Sequence, residues 1–219
     1  QTSISQSLTN TSSTDQDVIY TVTPISGNCL GLSFDVTVTV HPEPVVSNKF
    51  ITVCNESMLN TIINDDNDGP SIHQFDLSIN SNGLTDFDGN DISGQGLTDL
   101  TISSSESWTN TTTDTVSVIY TITPFTSDGC QGSDFNLIVV VEPQPTMDTL
   151  TNIIVCDGET VNATTLTSQV AGAVLDWTSS NTNTGLTTVS GTTTIPSFTA
   201  TNTTGSPIID TITVTPSIP

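Results

Sequence analysis

Among 219 residues, 23 are acidic and only Lys49 is basic, so the chain carries a net charge of −22 at pH 7. Phosphate contacts depend on Lys and Arg, which excludes a nucleic-acid partner and disfavours an anionic membrane surface. Hydrophobic residues make up 33% and charged residues 11%. Disordered chains pair low hydrophobicity with dense charge, whereas here Ser, Thr and Asn stand where that charge would be.

The first predicted strand, Val18 to Thr23, is β-branched and aromatic and stops at Pro24. A turn rich in Gly, Ser and Asn follows, and then a strand in which Phe34, Val36, Val38 and Val40 alternate with polar residues. Pro42 and Pro44 mark a boundary, after which Phe50 to Cys54 begins a new strand. Ser117 to Thr123 and Phe135 to Val141 repeat the first pair, closed by Pro143 and Pro145. Asn152 to Cys156 repeats the strand that follows the first boundary. Pro-x-Pro segments of this kind are semi-rigid spacers or caps on a last strand.

Three strings are copies of one another: SLTNTSSTDQDVIYTVTP at 7–24, SWTNTTTDTVSVIYTITP at 107–124 and TATNTTGSPIIDTITVTP at 199–216. The spacing from Asn10 to Pro24 recurs from Asn110 to Pro124 and from Asn202 to Pro216. Such a period marks an array of similar domains. No segment longer than a turn or two has helical periodicity, so the expected fold is all-β, built of tandem antiparallel β-sandwich modules. Residues 1–45 would be the C-terminal part of one module, 46–145 a complete module, and 146–219 the N-terminal part of a third. No apolar run reaches the length of a membrane span, so direct membrane insertion is not expected. The absence of a starting Met or signal peptide suggests an excerpt of a longer secreted chain.

The four cysteines fall into two classes. Cys54 and Cys156 end the first strand of a module, while Cys29 and Cys130 lie between its last two strands. Only the middle module holds both classes, so Cys54 is expected to pair with Cys130, with Cys29 to Cys54 as the alternative. Closing so long a loop would stabilise by about 4 kcal/mol in the chain-entropy account, and disulfides imply an oxidising, extracytoplasmic setting. No CxxC is present, and His41 and His73 lie far from any cysteine pattern, which argues against zinc.

Asn64-Asp65-Asp66-Asn67-Asp68-Gly69 reads in two ways. Asp65, Asn67 and Asp68 are candidate Ca2+ ligands, since alternating carboxylate and amide oxygens ending in Gly can wrap a hard cation. The same residue types also form solvated turns between strands. Asp86-Phe-Asp88-Gly-Asn90-Asp91 has the same two readings. No cleft carries paired acids, no G-x-S-x-G occurs, and neither His lies beside a nucleophile; no enzymatic activity is expected. Trp108 and Trp177 are either sugar platforms or core residues, and a strand Trp followed by Thr favours the core.

DWTSSNTNTGLTTVSGTTTIPSFTATNTTGSPIIDTITVTP at 176–216, and VIYTVTP followed by C-x-G and an alternating strand at 18–40 and 118–141, resemble the PKD-like and immunoglobulin-like repeats of giant SprB-type surface adhesins. These belong to gliding Bacteroidetes and are exported by the type 9 secretion system. The likeness covers most of 1–46 and 107–219. Thr193 departs from it, standing where those repeats commonly carry Gly, and 60–106 fits the repeat poorly. The resemblance implies a secreted, cell-surface, repetitive filament used in adhesion and gliding. Its partners would be neighbouring modules of the same long chain and an external surface or polysaccharide. It also implies O-glycosylation at Asp-Thr-aliphatic sites, which places Thr115, Thr149 and Thr211 as candidates. A competing expectation is a set of carbohydrate-binding or spacer modules of a large secreted hydrolase.

Overall fold

The computed structural model describes residues 3–63, 66–89, 92–102 and 106–218. It divides into two compact units, one of residues 1–109 with 116–141 and the other of 110–115 with 142–219. Among the described residues the only helical element is a single 3-10 turn, Thr182–Thr184, and no helix is long and apolar enough to cross a membrane.

In the first unit the N-terminal stretch forms β1 (Gln16–Val22), the two-residue strands β2 (Ile25–Ser26) and β3 (Cys29–Leu30), and β4 (Phe34–Val40). β1 pairs antiparallel with β4, from Gln16 opposite Val40 to Val22 opposite Phe34. The same unit adds β5 (Lys49–Cys54), β6 (Thr61–Ile62), β7 (Gln74–Asn80), β8 (Thr85–Asp86) and β9 (Gly94–Leu97). It continues with β10 (Thr101–Ile102), β11 (Trp108–Thr109), β12 (Val116–Phe125) and β13 (Phe135–Glu142). Its main sheet runs β5-β13-β12-β7-β9, and the short pairs β6–β10 and β8–β11 lie outside it.

Period-two patterning decides which face of that sheet is buried. Val118, Tyr120 and Ile122 of β12 are fully buried, and so are Leu137, Val139 and Val141 of β13. They meet Phe75 and Leu77 of β7 and Leu59, Ile63, Ile102 and Trp108 from the short-strand side in one apolar cluster. Each such side chain contributes roughly 1.5–3 kcal/mol on leaving water. The hairpin β1–β4 has the same alternation, yet Phe34, Val36 and Val38 are exposed.

The boundary prolines are not free spacers. Pro42 and Pro44 are buried, and a Cβ on Gly132 would come within 2.5 Å of the Pro44 carbonyl oxygen and 3.1 Å of Pro124 Cγ. Only Gly lets the two backbones approach so closely. Gly31 repeats the device on Pro24, and in both copies the glycine N–H donates to the proline carbonyl, Gly31 to Pro24 and Gly132 to Pro124. This explains the Gly of each C-x-G.

The second unit contains β14 (Thr160–Val161), β15 (Thr164–Thr165), β16 (Val174–Ser179), β17 (Ser190–Thr192), β18 (Thr194–Ile195), β19 (Phe198–Thr199) and β20 (Ile212–Ser217). Its sheet is β17-β16-β20, with the pairs β14–β19 and β15–β18 beside it. Leu166, Leu175, Trp177 and Leu186 form its core. Trp177 donates its indole N–H to the Thr194 carbonyl at 3.0 Å.

Candidate functional site

The repeated strings build the same hydrogen-bonded turn three times. Asn10 Oδ1 accepts the backbone N–H of Ser12 at 2.9 Å, and its Nδ2 donates to the Thr14 carbonyl at 2.7 Å. Asn110 does so with Thr112 and Asp114, at 3.0 and 2.9 Å. Asn202 does so with Thr204 and Ser206, both at 3.0 Å. In each copy the Ser or Thr hydroxyl lies 2.7 Å from the Asn oxygen and 2.7–2.8 Å from the carbonyl two residues on, its single proton being shared between them. The amide thus closes the turn that feeds the long strand, which is why Asn holds its place at a fixed distance from Pro.

A buried polar cluster of the middle module centres on Glu106 and Tyr120, which the acidic motifs did not include. Trp108 donates its indole N–H to Tyr120 Oη at 2.5 Å, and Tyr120 donates to Glu106 Oε1 at 2.8 Å. The rings of Trp108 and Tyr120 meet edge to face with centroids 6.5 Å apart. Burial holds the Tyr120 phenol un-ionised far above its usual range, an effect that the nearby Glu106 charge reinforces. One carboxylate oxygen from each of Asp86, Asp88 and Glu106 lies within 4.8 Å of the other two. Partial burial raises the Asp86 pKa first, and the hydrogen bond and charge of Asp88 add to it. Glu106 sits in a serine-rich stretch that the repeat did not explain. The available signal was the interval to the tyrosine, since Tyr20 likewise donates to Gln6 at 2.9 Å. In the third copy the matching positions are Phe198 and Ile212, both packed on the apolar core.

The acidic turn ending at Gly69 is tied to the module boundary. Asn67 Oδ1 accepts the N–H of Val45 at 3.1 Å and that of Gly69 at 3.0 Å, using both of its lone pairs. Asn67 Nδ2 donates to the Pro70 carbonyl, and Asp68 N–H donates to Val45 O. The Asp68 residue is exposed, and Asp65 lies outside the described residues. So do Asn90 and Asp91 of the second acidic stretch. Lys49 reaches Asp66 at 3.2 Å and the Ile62 carbonyl at 3.0 Å. His41 sits 2.9 Å from Asp15, whose hydrogen bond and charge raise the imidazole pKa.

The expected Cys54–Cys130 disulfide is corrected by the sheet geometry. All four cysteines are free thiols. β5 lies beside β13, and Asn48, just before β5, accepts the N–H of Asn136 at the start of β13. β5 then runs six residues, about 20 Å, to Cys54 at the far end of the sheet. Cys130 lies beyond the near end, in the turn where Phe125 bridges Gln131. A disulfide needs Cα atoms within about 7 Å, so the two cannot be joined in this fold. Cys29 and Cys54 are likewise unpaired.

Trp108 and Trp177 are 5% and 1% exposed, which places both indoles in the cores and offers no sugar-facing ring from either. Thr115, Thr149 and Thr211 are exposed. Thr193, the departure from the resembled repeat, has φ of +65°, a conformation that a β-branched residue adopts only under strain. No curated protein matches the chain. The description of the PKD-like domain family matches residues 1–44 and 51–145, more than half of the sequence and spanning two of the three copies of the Asn-centred turn, so the chain belongs to the PKD-like domain family.

Proposed function

We infer that this chain is a structural segment of a long cell-surface adhesin filament of the SprB type, exported by the type 9 secretion system and used in surface adhesion and gliding. The observation that carries this reading is the same Asn-centred turn, strand and proline stop constructed three times along one chain. A catalytic protein needs one site; a stalk needs the same module many times. The packed boundary supports a mechanical role. With Pro44 against Gly132 and Val45 held by Asn67, neighbouring repeats resist bending where an open linker would yield. The strongly acidic surface keeps stalks soluble and apart. Neighbouring modules are the partners along the filament, and an external surface or polysaccharide is its target.

Carbohydrate-binding modules of a secreted hydrolase are the competing reading. They are less well supported because both indoles are buried. Immunogold labelling of intact cells with antibodies raised against the segment tests the proposal. Label on filaments outside the outer membrane is expected. Antigen reached only after lysis, or a parent chain fused to a catalytic domain, would overturn it.

A further inference from the structure

We propose that the joint between the first repeat and the middle module is a pH-operated latch, in which protonated His41 ties Asp15 to Asp128 across the boundary and neutral His41 releases it. This goes beyond the adhesin reading and does not depend on it.

One set of contacts at the joint does not titrate. Pro44 lies against Gly132, and a Cβ on Gly69 would meet the Glu43 carbonyl oxygen at 2.6 Å. Val45 N–H donates to Asn67 Oδ1, and Val45 O accepts the Asp68 N–H. Backbone and amide groups keep these bonds whatever the pH. They seat 43–45 on the middle module, and His41 stands just ahead of that seat.

Three elements converge on His41. It follows β4 directly, and the last carbonyl of that strand, Val40 O, accepts from the Asn10 amide at 2.8 Å. Asp15 stands just before β1, with its Oδ1 2.9 Å from His41 Nδ1. Asp128 comes from the middle module, in the turn between β12 and β13, and its Oδ2 is 4.0 Å from the same nitrogen. That turn is firmly held. Thr126 is buried, its N–H donates to Cys130 O, and its hydroxyl accepts the Cys130 N–H at 3.1 Å.

Lys49, the only Lys or Arg, is bound to Asp66. Among the described residues, His41 is therefore the one cation within 4.0 Å of Asp15 or Asp128. Glu43, two residues on, is a further acid and is exposed. A neutral ring can still donate one hydrogen bond to Asp15 inside the first repeat. It has no charge with which to hold Asp128, and the two carboxylates then repel across the boundary. The hydrogen bond and charge of Asp15 raise the His41 pKa above its ordinary 6.5, and the Asp128 charge adds to this. The latch is thus closed below the unfolded value and opens as pH rises through the folded one.

Exposed pairs of this kind are weak singly and screened by salt, which suits a contact that biases a joint without holding a fold. The next boundary lacks it. Glu142 follows Val141 where His41 follows Val40, and Thr115 stands at the interval from Asn110 that Asp15 keeps from Asn10. The latch belongs to one joint and not to the repeat.

The test uses the full chain with its four cysteines changed to Ser, and nitroxide labels at Thr37→Cys in the first repeat and Thr52→Cys in the middle module, both exposed positions. Double electron–electron resonance reads the spread of distances across the joint. The spread should be narrow at about pH 5.5 and broad at about pH 8.5, on either side of the imidazole titration. High salt should broaden it at the lower pH. His41→Gln and Asp128→Asn should each be broad at both pH values. By NMR titration, Asp128→Asn should still leave His41 above 6.5 because Asp15 remains. His73→Gln should keep the whole response. A spread indifferent to pH with His41, Asp15 and Asp128 in place would overturn the proposal. So would a response that survives Asp128→Asn or vanishes with His73→Gln.

Discussion

Tyr120 donates its phenolic proton to Glu106, fourteen residues earlier, and Tyr20 makes the same bond to Gln6 at the same interval. The first copy shows that an amide can take the place of the acid. Glu106→Gln is therefore expected to leave the middle module folded and at least as stable at neutral pH, because a buried carboxylate is replaced by a neutral acceptor of the same shape. Tyr120→Phe removes the donor to Glu106 and the acceptor of Trp108 together. It should cost about 1–3 kcal/mol, the penalty of disturbing buried polar partners. Urea unfolding followed by Trp fluorescence separates the two variants, and equal losses from both would contradict the assignment.

Asp86 gives a pH dependence of opposite sense to most paired carboxylates. Its pKa is raised above the ordinary 3.8 by partial burial and by Asp88, so the folded module binds this proton more tightly than the unfolded chain does. The corresponding stability is fully present below the unfolded pKa and is lost as pH rises through the folded one. Asp86→Asn has no such loss and keeps an oxygen for the Asp88 N–H, which donates to Asp86 Oδ1 at 3.1 Å. Relative to the native chain, the variant should gain stability between acid and neutral pH. Denaturant midpoints of the two proteins at both ends of that range check it, and a difference independent of pH would refute it.

The three Asn-centred turns provide an internal series. Asn110 is buried, while Asn10 and Asn202 are half-buried. Asn110→Ala removes a buried amide and leaves the Thr112 N–H and the Asp114 carbonyl without the partner that closed the turn, for an expected cost of about 1–3 kcal/mol. Asn10→Ala, where water can replace the amide, should cost less. Hydrogen exchange at residue 112 should quicken in the first variant while protection in β16 stays unchanged.

Strand positions were legible because period-two alternation in Phe135 to Val141 has only one structural solution, and the copied strings announced a repeating fold. The role of Asn110 was visible only as spacing, since a sequence cannot show that an amide folds back on its own turn. Glu106 was hidden because nothing local marks an acid for burial; its partner lies on another strand. The cysteines misled for a related reason: membership of one module says nothing about which end of a sheet a residue occupies.

Thr193 stands where the resembled repeats commonly carry Gly, and its φ of +65° supplies the physical reason for that preference. Left-handed backbone costs a non-glycine residue of order 1–3 kcal/mol, and β-branching makes it worse. The position is held by its backbone, with Leu166 N–H donating to Thr193 O at 2.7 Å and Thr193 N–H donating to Leu175 O at 2.9 Å. Thr193→Gly keeps both bonds and relieves the strain. It should raise the stability of the second unit by about 1 kcal/mol after the added entropy of unfolded Gly is counted, seen as a higher melting temperature. A lower one would show that the Thr side chain contributes more than the strain costs.

Free thiols at opposite ends of one sheet lead to the last expectation. Cys54 is exposed at the end of β5, and Cys130 is half-buried in the turn before β13. With about 20 Å or more between them, no oxidant can join them without unfolding the module. Non-reducing peptide mapping of the purified chain should therefore find no Cys54–Cys130 peptide. Cys54→Ser should leave the denaturation midpoint where it was, since a lost disulfide of this span would cost about 4 kcal/mol. Thiol titration should find the three exposed cysteines reacting quickly and Cys130 slowly. Recovery of the Cys54–Cys130 peptide from native protein would mean that β5 does not lie along β13 as described.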